Sequence, residues 1–148
     1  METNNFSRLK YIDSDLYKLA KESEQYLYSD HQSSLIKLRV FGEYFVKNIY
    51  NDLRLPNNPR ISFCDKLQEP NFCKAVPTDI SDKLHVLRVY GNKAAHQVLE
   101  YGQDAVNHCL KEAYLLGKWL YFKMDPDALE YPEFALPEKT MTAPKAEP

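Results

Sequence analysis

The strongest constraint on this chain's fold is a run of apolar residues at three- and four-residue steps: Leu35, Leu38, Phe41, Phe45, Ile49 and Leu53. Such steps keep returning to one face of an α-helix and would scatter over both faces of a strand. Ser29 and Asp30 supply helix-start signals. Leu55-Pro56-Asn57-Asn58-Pro59 forces a loop at the other end. A long amphipathic helix is therefore expected over residues 32–53. No stretch of the chain alternates apolar and polar residues for long, and only four glycines occur.

Helical spacing continues on both sides. Leu16, Leu19, Ala20 and Leu27 predict a helix over residues 14–28, with Asp13 as its cap. A short helix is expected over 61–67, around Phe63 and Cys64, and Pro70 and Pro77 bracket a connection. Thr78 is the expected cap of a helix reaching to about Glu100, with Ile80, Leu84, Leu87, Tyr90 or Gly91, Ala94 and Val98 inward. Gly102 breaks the chain. A last helix over 104–122 carries Ala105, Cys109, Ala113, Leu116, Trp119 and Leu120. Beyond Met124 come Pro126, Pro132, Pro137, Pro144 and Pro148, which remove backbone donors and resist helix. Residues 125–138 read as an extended strap docked through Tyr131, Phe134 and Leu136, and residues 139–148 as a disordered linker. The fold class is all-α: an antiparallel bundle of four main helices plus a short one, with an extended C-terminal tail.

Composition narrows the function classes. A net charge of -2 gives no global drive toward nucleic acid, so phosphate contact would need a local basic patch. The three cysteines, Cys64, Cys73 and Cys109, form no CxxC pair, and no signal peptide precedes them, which suits reduced thiols in a cytoplasm. No apolar run approaches the ~20 residues of a membrane span. His85, His96 and His108 lack metal-site spacing, so no metal is expected. Gly117-Lys118-Trp119 has no glycine five residues before it. No phosphate-cradling loop is present, and no cofactor is expected in this chain.

Two groups of residues carry the chemistry on offer. Arg88, Asn92 and His96 stand at i, i+4 and i+8, along one helix face. A guanidinium can hold a phosphate, and an imidazole can move a proton near neutral pH. The same trio can equally hydrogen-bond a neighbouring helix, or Arg88 can pair with Glu43. The second group is Arg39, Gly42 and Glu43. Arg39 and Glu43 are an i, i+4 pair. Gly42 and Gly91 both sit mid-helix, where glycine costs about 1 kcal/mol relative to alanine. Close crossing of the two helices would explain both glycines. Arg39, Gly42, Glu43, Arg88, Gly91, Asn92 and His96 then form one interaction or packing face.

Several stretches resemble a single family in order and spacing, over roughly residues 5–138. They are Asn5-Phe6-Ser7-Arg8-Leu9-Lys10, Leu35 to Glu43, and Leu84 to Arg88 continuing into Gly91-Asn92-Lys93-Ala94-Ala95-His96. Gly117 to Tyr121 and Pro132 to Glu138 complete the set. The family is the N-terminal helical domain of the type I restriction enzyme R subunit, the endonuclease and motor subunit. The resemblance implies a parent protein that is an ATP-dependent DNA translocase and endonuclease, with ATP and Mg as cofactors. It also implies specificity and methyltransferase subunits as partners, DNA contact through the parent, a homodimer as a further candidate, a role in phage defence and a cytoplasmic setting. On this reading residues 1–124 are the helical domain, and 125–148 lead toward a nuclease and motor region that this chain lacks. A free-standing relative is the other option.

The helical domain in turn resembles the HEPN superfamily, many members of which are metal-independent RNases. Their motif is an Arg, a polar residue, three variable residues and a His. Asn92 and His96 match the last two elements, but Gly91 stands in the arginine position and Arg88 lies one turn earlier. The expected role of the domain is a noncatalytic interaction module. The alternative is a HEPN-type RNase using Arg88, Asn92 and His96, or a free-standing nucleic-acid- or nucleotide-binding defence protein.

Overall fold

The computed structural model describes residues 2–96 and 101–139. Val98 and Glu100, expected in the fourth helix, and residues 140–148 of the expected linker lie outside them. Among the described residues the chain is all-helical, with six α-helices, a short 3-10 helix at Ser7–Tyr11 and no strand.

Helix α1, Ser14–Gln25, starts where Asp13 places its carboxylate over the free amides of Asp15 (2.9 Å) and Leu16 (3.3 Å). It ends earlier than its apolar spacing predicts. A turn follows, in which Leu27 donates to the carbonyl of Glu24 (3.2 Å) and Asp30 to that of Tyr26 (2.9 Å). The turn still buries Leu27, and it delivers Asp30 as the cap of the next helix. Helix α2, His31–Asp52, is the spine of the molecule and packs against α1, α5 and α6. Leu35, Leu38, Phe41, Phe45 and Ile49 are sealed from solvent along its length. Arg54, in the left-handed region at φ 60°, ends it, and the Leu55 amide turns back to the Tyr50 carbonyl (2.8 Å).

Two short helices follow, α3 (Phe63–Lys66) and α4 (Pro70–Ala75). The second replaces the expected connection between Pro70 and Pro77. Proline is compatible with a first helical turn, where no amide partner is required. Glu69 caps that turn by accepting from the Phe72 amide (2.8 Å), and Phe72 is fully buried against Tyr50. Helix α5, Thr78–His96, begins one residue earlier than expected. The Pro77 carbonyl accepts from Ile80 (3.1 Å) and Ser81 (3.0 Å), so Thr78 is the first helical residue rather than the cap. Ile80, Leu84, Leu87, Gly91 and Ala94 face inward. Helix α6, Gln103–Met124, follows Gly102, and its inward stripe begins at Val106 instead of Ala105. Cys109, Ala113, Leu116 and Leu120 continue that stripe, while Trp119 is half-buried beside Phe45.

After α6 the chain turns back as an extended strap. Tyr114 donates to the Pro132 carbonyl and Tyr28 to the Pro137 carbonyl. Tyr131 and Phe134 both pack on Tyr114. Leu136, expected as an anchor, is 46% exposed, and Pro137 is buried in its stead. The main anchor is Asn5, which is fully buried. Its Oδ1 accepts from the Ala135 amide (2.9 Å), and its Nδ2 donates to the Ala135 carbonyl (2.7 Å) and to Glu24 Oε2 (2.7 Å).

Candidate functional site

The residues singled out in the sequence meet, in part, along the seam between α2 and α5. Gln32 Nε2 donates to the Ala94 carbonyl (2.6 Å), and a Cβ on Gly42 would lie 3.7 Å from Leu84. Successive turns of α2 therefore meet successively earlier turns of α5. Between these two points the helices touch most closely. A Cβ built on Gly91 would lie 2.3 Å from Arg39 Cβ and 3.0 Å or less from its Cγ and Cδ. No side chain larger than hydrogen fits there without moving one helix, because the clash is with the root of Arg39 and not its flexible end. Gly42 has a looser role. Its missing Cβ leaves 3.0 Å to the tip of the Phe63 ring.

Arg39 thus lies across Gly91, level with Arg88, which is one turn earlier on the same helix. Leu38 and Leu87 fill the core beneath. Above them the Nε atoms of both arginines are buried and have no hydrogen-bond partner. Their other neighbours satisfy them poorly. Arg39 Nη1 is 4.0 Å from Glu43 Oε1, an ion-pair distance but not a hydrogen bond. Arg88 Nη2 is 3.5 Å from Nδ1 of His85. Burial, aided by the Arg88 charge and opposed by Asp82, lowers the His85 pKa below its usual value. The ring is then neutral at pH 7 and can accept from Arg88. His85 belongs to this cluster through its i, i+3 spacing to Arg88, a signal the sequence carried without any motif to single it out.

The rest of the trio stands apart. His96 is exposed at the far end of α5, eight residues beyond Arg88, which is about 12 Å along a helix axis. Asn92 is half-buried between them, and neither makes a side-chain hydrogen bond among the described residues. Arg39 and Gly91 are therefore brought together, Arg88 lies one turn from Gly91 with His85 beside it, Glu43 stands near Arg39, and His96 is left at the far end of the helix. Arg88 and Glu43 do not pair.

Other chemistry is thinly provided. Among the described residues no group of three or more His, Cys, Asp or Glu could hold a metal ion. Cys109 is sealed in the core, and burial pushes its thiol pKa up to about 12, too high for a thiolate nucleophile at neutral pH. An open cavity lined by Tyr11, Asn48, Asp52 and Tyr121 touches α2 elsewhere and shares no residue with the seam. No described helix is long and apolar enough to cross a membrane.

No protein-family model and no solved structure matches the chain. The chain is similar to the endonuclease subunit of the type I restriction enzyme EcoKI of Escherichia coli (strain K12). The two are 32% identical over 140 residues, 94% of this chain and 12% of that protein. The chain is therefore related, along nearly its whole length, to one segment of a type I restriction endonuclease subunit.

Proposed function

We propose that this chain is the N-terminal helical domain of a type I restriction R subunit, and that it works as a noncatalytic interaction module. The observation that carries the reading is the similarity spanning 94% of the chain. The seam supports a noncatalytic role. Gly91 stands in the arginine position of the HEPN motif, and His96 is exposed eight residues beyond Arg88, at the far end of α5. The domain is a HEPN-like antiparallel bundle of four main helices, built on residues 1–124. The strap from 125 onward leads toward the nuclease and motor region. In the parent protein that region uses ATP and Mg to translocate and cut DNA in the cytoplasm. The helical domain contacts the specificity and methyltransferase subunits, or a second copy of itself. The test is deletion of residues 1–139 from the full-length subunit, taking the docked strap with the helices. Loss of companion-subunit pull-down and of DNA cleavage is the expected result. Assembly and cleavage at full level would refute the reading.

A metal-independent RNase is the second reading. Two observations favour it: His96 is open to solvent, and Arg39 lays a guanidinium-bearing side chain over Gly91, where the motif calls for arginine. His96 would then act as general acid or base, with the RNA 2′-hydroxyl as nucleophile. Cleavage of single-stranded RNA in EDTA, abolished by His96→Ala, would support it, and no cleavage would remove it.

A further inference from the structure

We propose that Arg39 and Arg88 form a two-helix oxyanion site that takes a phosphate group. The inference rests on the reading of this face as an interaction surface, and it names what the face recognises. A guanidinium offers several N–H donors in a rigid planar fork and no acceptor. Two of them are rooted on facing turns of α2 and α5, Arg39 across Gly91 and Arg88 one turn before it, and the nearest acceptors are His85 Nδ1 at 3.5 Å from Arg88 and Glu43 Oε1 at 4.0 Å from Arg39. The buried Nε atoms have none. Half-buried donors in this state favour any arrangement that supplies oxygen atoms.

The arrangement of the donors selects among oxyanions. The two forks come from different helices. A planar carboxylate is saturated by one fork, whereas a tetrahedral phosphate presents oxygens out of plane and can accept from both. Glu43 is a carboxylate already within reach of Arg39, and it does not close to hydrogen-bond distance. The Arg39 side chain is 29% exposed, so its outer nitrogens are open to an incoming group. A torsional turn of either side chain brings Nε outward and exchanges an unpaired donor for a charge-assisted bond. Gly91 is part of the site because it alone lets the Arg39 stem lie at this level. The other basic groups nearby are less suited. Lys37 is taken by Glu22, and Lys93 is an exposed point charge on α5.

The phosphate can come from a nucleic-acid backbone or from a free phosphate or nucleotide. Fluorescence anisotropy of the 148-residue chain with labelled duplex DNA and labelled single-stranded RNA tests the first source. Calorimetry with inorganic phosphate and with ATP tests the second. Arg88→Gln should weaken the bound species about tenfold. For a nucleic acid it should also lower the slope of log affinity against log salt by about one. Arg39→Lys keeps the charge and the stem but loses the fork, and should show a similar loss. Lys93→Gln should leave binding near wild type, and melting curves establish that each variant folds. Phosphate or ATP binding without nucleic-acid binding supports the site and assigns it a free ligand. The proposal is overturned by absence of binding to all four probes, by Lys93→Gln weakening binding as much as the arginine variants, or by Arg39→Lys binding like wild type. Pull-down of companion subunits by the full-length protein carrying the same substitutions separates the two readings. Intact assembly beside a seam that binds no phosphate overturns the site alone. Failed assembly of the wild-type subunit overturns the subunit-contact reading and leaves the phosphate result standing.

Discussion

Two polar regions of this molecule are built in opposite ways. Around Asn5 a buried amide meets a carboxylate, a threonine hydroxyl and a strap backbone. Thr3 and Asn5 both donate to Glu24, Asn5 exchanges two hydrogen bonds with Ala135, and Tyr131 donates to the Asn5 carbonyl (3.3 Å). Every donor has an acceptor, and the network ties the N-terminus, α1 and the strap together. At the α2–α5 seam two arginines bring more donors than the fold can use, and both Nε atoms go unpaired. A saturated buried network holds structure in place, because breaking it strands groups that water cannot reach. An unsaturated one has binding capacity left over. Substitutions at the two regions should therefore fail differently.

The largest effect is expected at Asn5. Asn5→Ala unpairs the Ala135 amide and carbonyl and removes one donor from Glu24 Oε2. Ala135 itself lies at the surface, where water can reach its backbone, so the cost is counted as about 1 kcal/mol for each of the three lost hydrogen bonds, and a loss of about 3 kcal/mol is expected in urea unfolding. Protease should also cut the strap sooner. A melting temperature within a degree or two of wild type would show that the strap does not depend on this clamp.

Gly91→Ala comes next. Alanine improves helix propensity by about 1 kcal/mol. The new Cβ would sit 2.3 Å from Arg39 Cβ, however, and overpacking of this kind costs about 1–3 kcal/mol. The clash is at the root of the side chain, so the upper end of that range applies and the variant should lose about 2 kcal/mol. Gly42→Ala is the matched comparison. Its Cβ meets only the tip of the Phe63 ring at 3.0 Å, and a small ring shift lets the propensity gain offset the contact. Equal loss at both glycines would mean that the tight crossing is not local to Gly91.

This contrast also marks how far the sequence could be read. The long helices were legible because burial imposes a period: Leu35 to Ile49 on α2 and Cys109 to Leu120 on α6 sit at the expected phase. Asp13 and Asp30 were legible because capping is a local signal. Helix α4 was missed because Pro70 suggests a loop unless its place in the first turn is known. The Asn5 clamp spans 130 residues in sequence, so no local pattern announces it. At the seam, spacing placed Arg88, Asn92 and His96 on one helix, and all three lie within α5. It could not show which turn of α2 lies opposite, and that tertiary fact sets the Arg39 stem against Gly91, while the neighbour of Arg88 on its own helix is His85 and not His96.

The smallest effect is a change of slope with pH, and it probes the saturated side of the comparison. Burial raises the Glu24 pKa above its ordinary value of 4.5, and the hydrogen bonds from Thr3 and Asn5 only partly oppose that shift. In the window between 4.5 and the raised folded value, the native state binds more protons than the unfolded chain. Stability therefore falls as pH rises through that window, the reverse of a carboxylate held in an ion pair. Glu24→Gln keeps an oxygen to accept from Asn5 and removes the titration. Urea midpoints taken from pH 4 upward should show the wild-type curve flattening in the variant, with the two diverging most near neutral pH. The seam variant Arg88→Gln should not flatten the curve: Glu24 lies on α1 and shares no partner with Arg88, and losing the Arg88 charge weakens only the contribution of His85, whose lowered pKa makes stability rise with pH. If Arg88→Gln flattens the curve and Glu24→Gln does not, the titrating group belongs to the seam and the assignment of its pH response to the clamp is wrong.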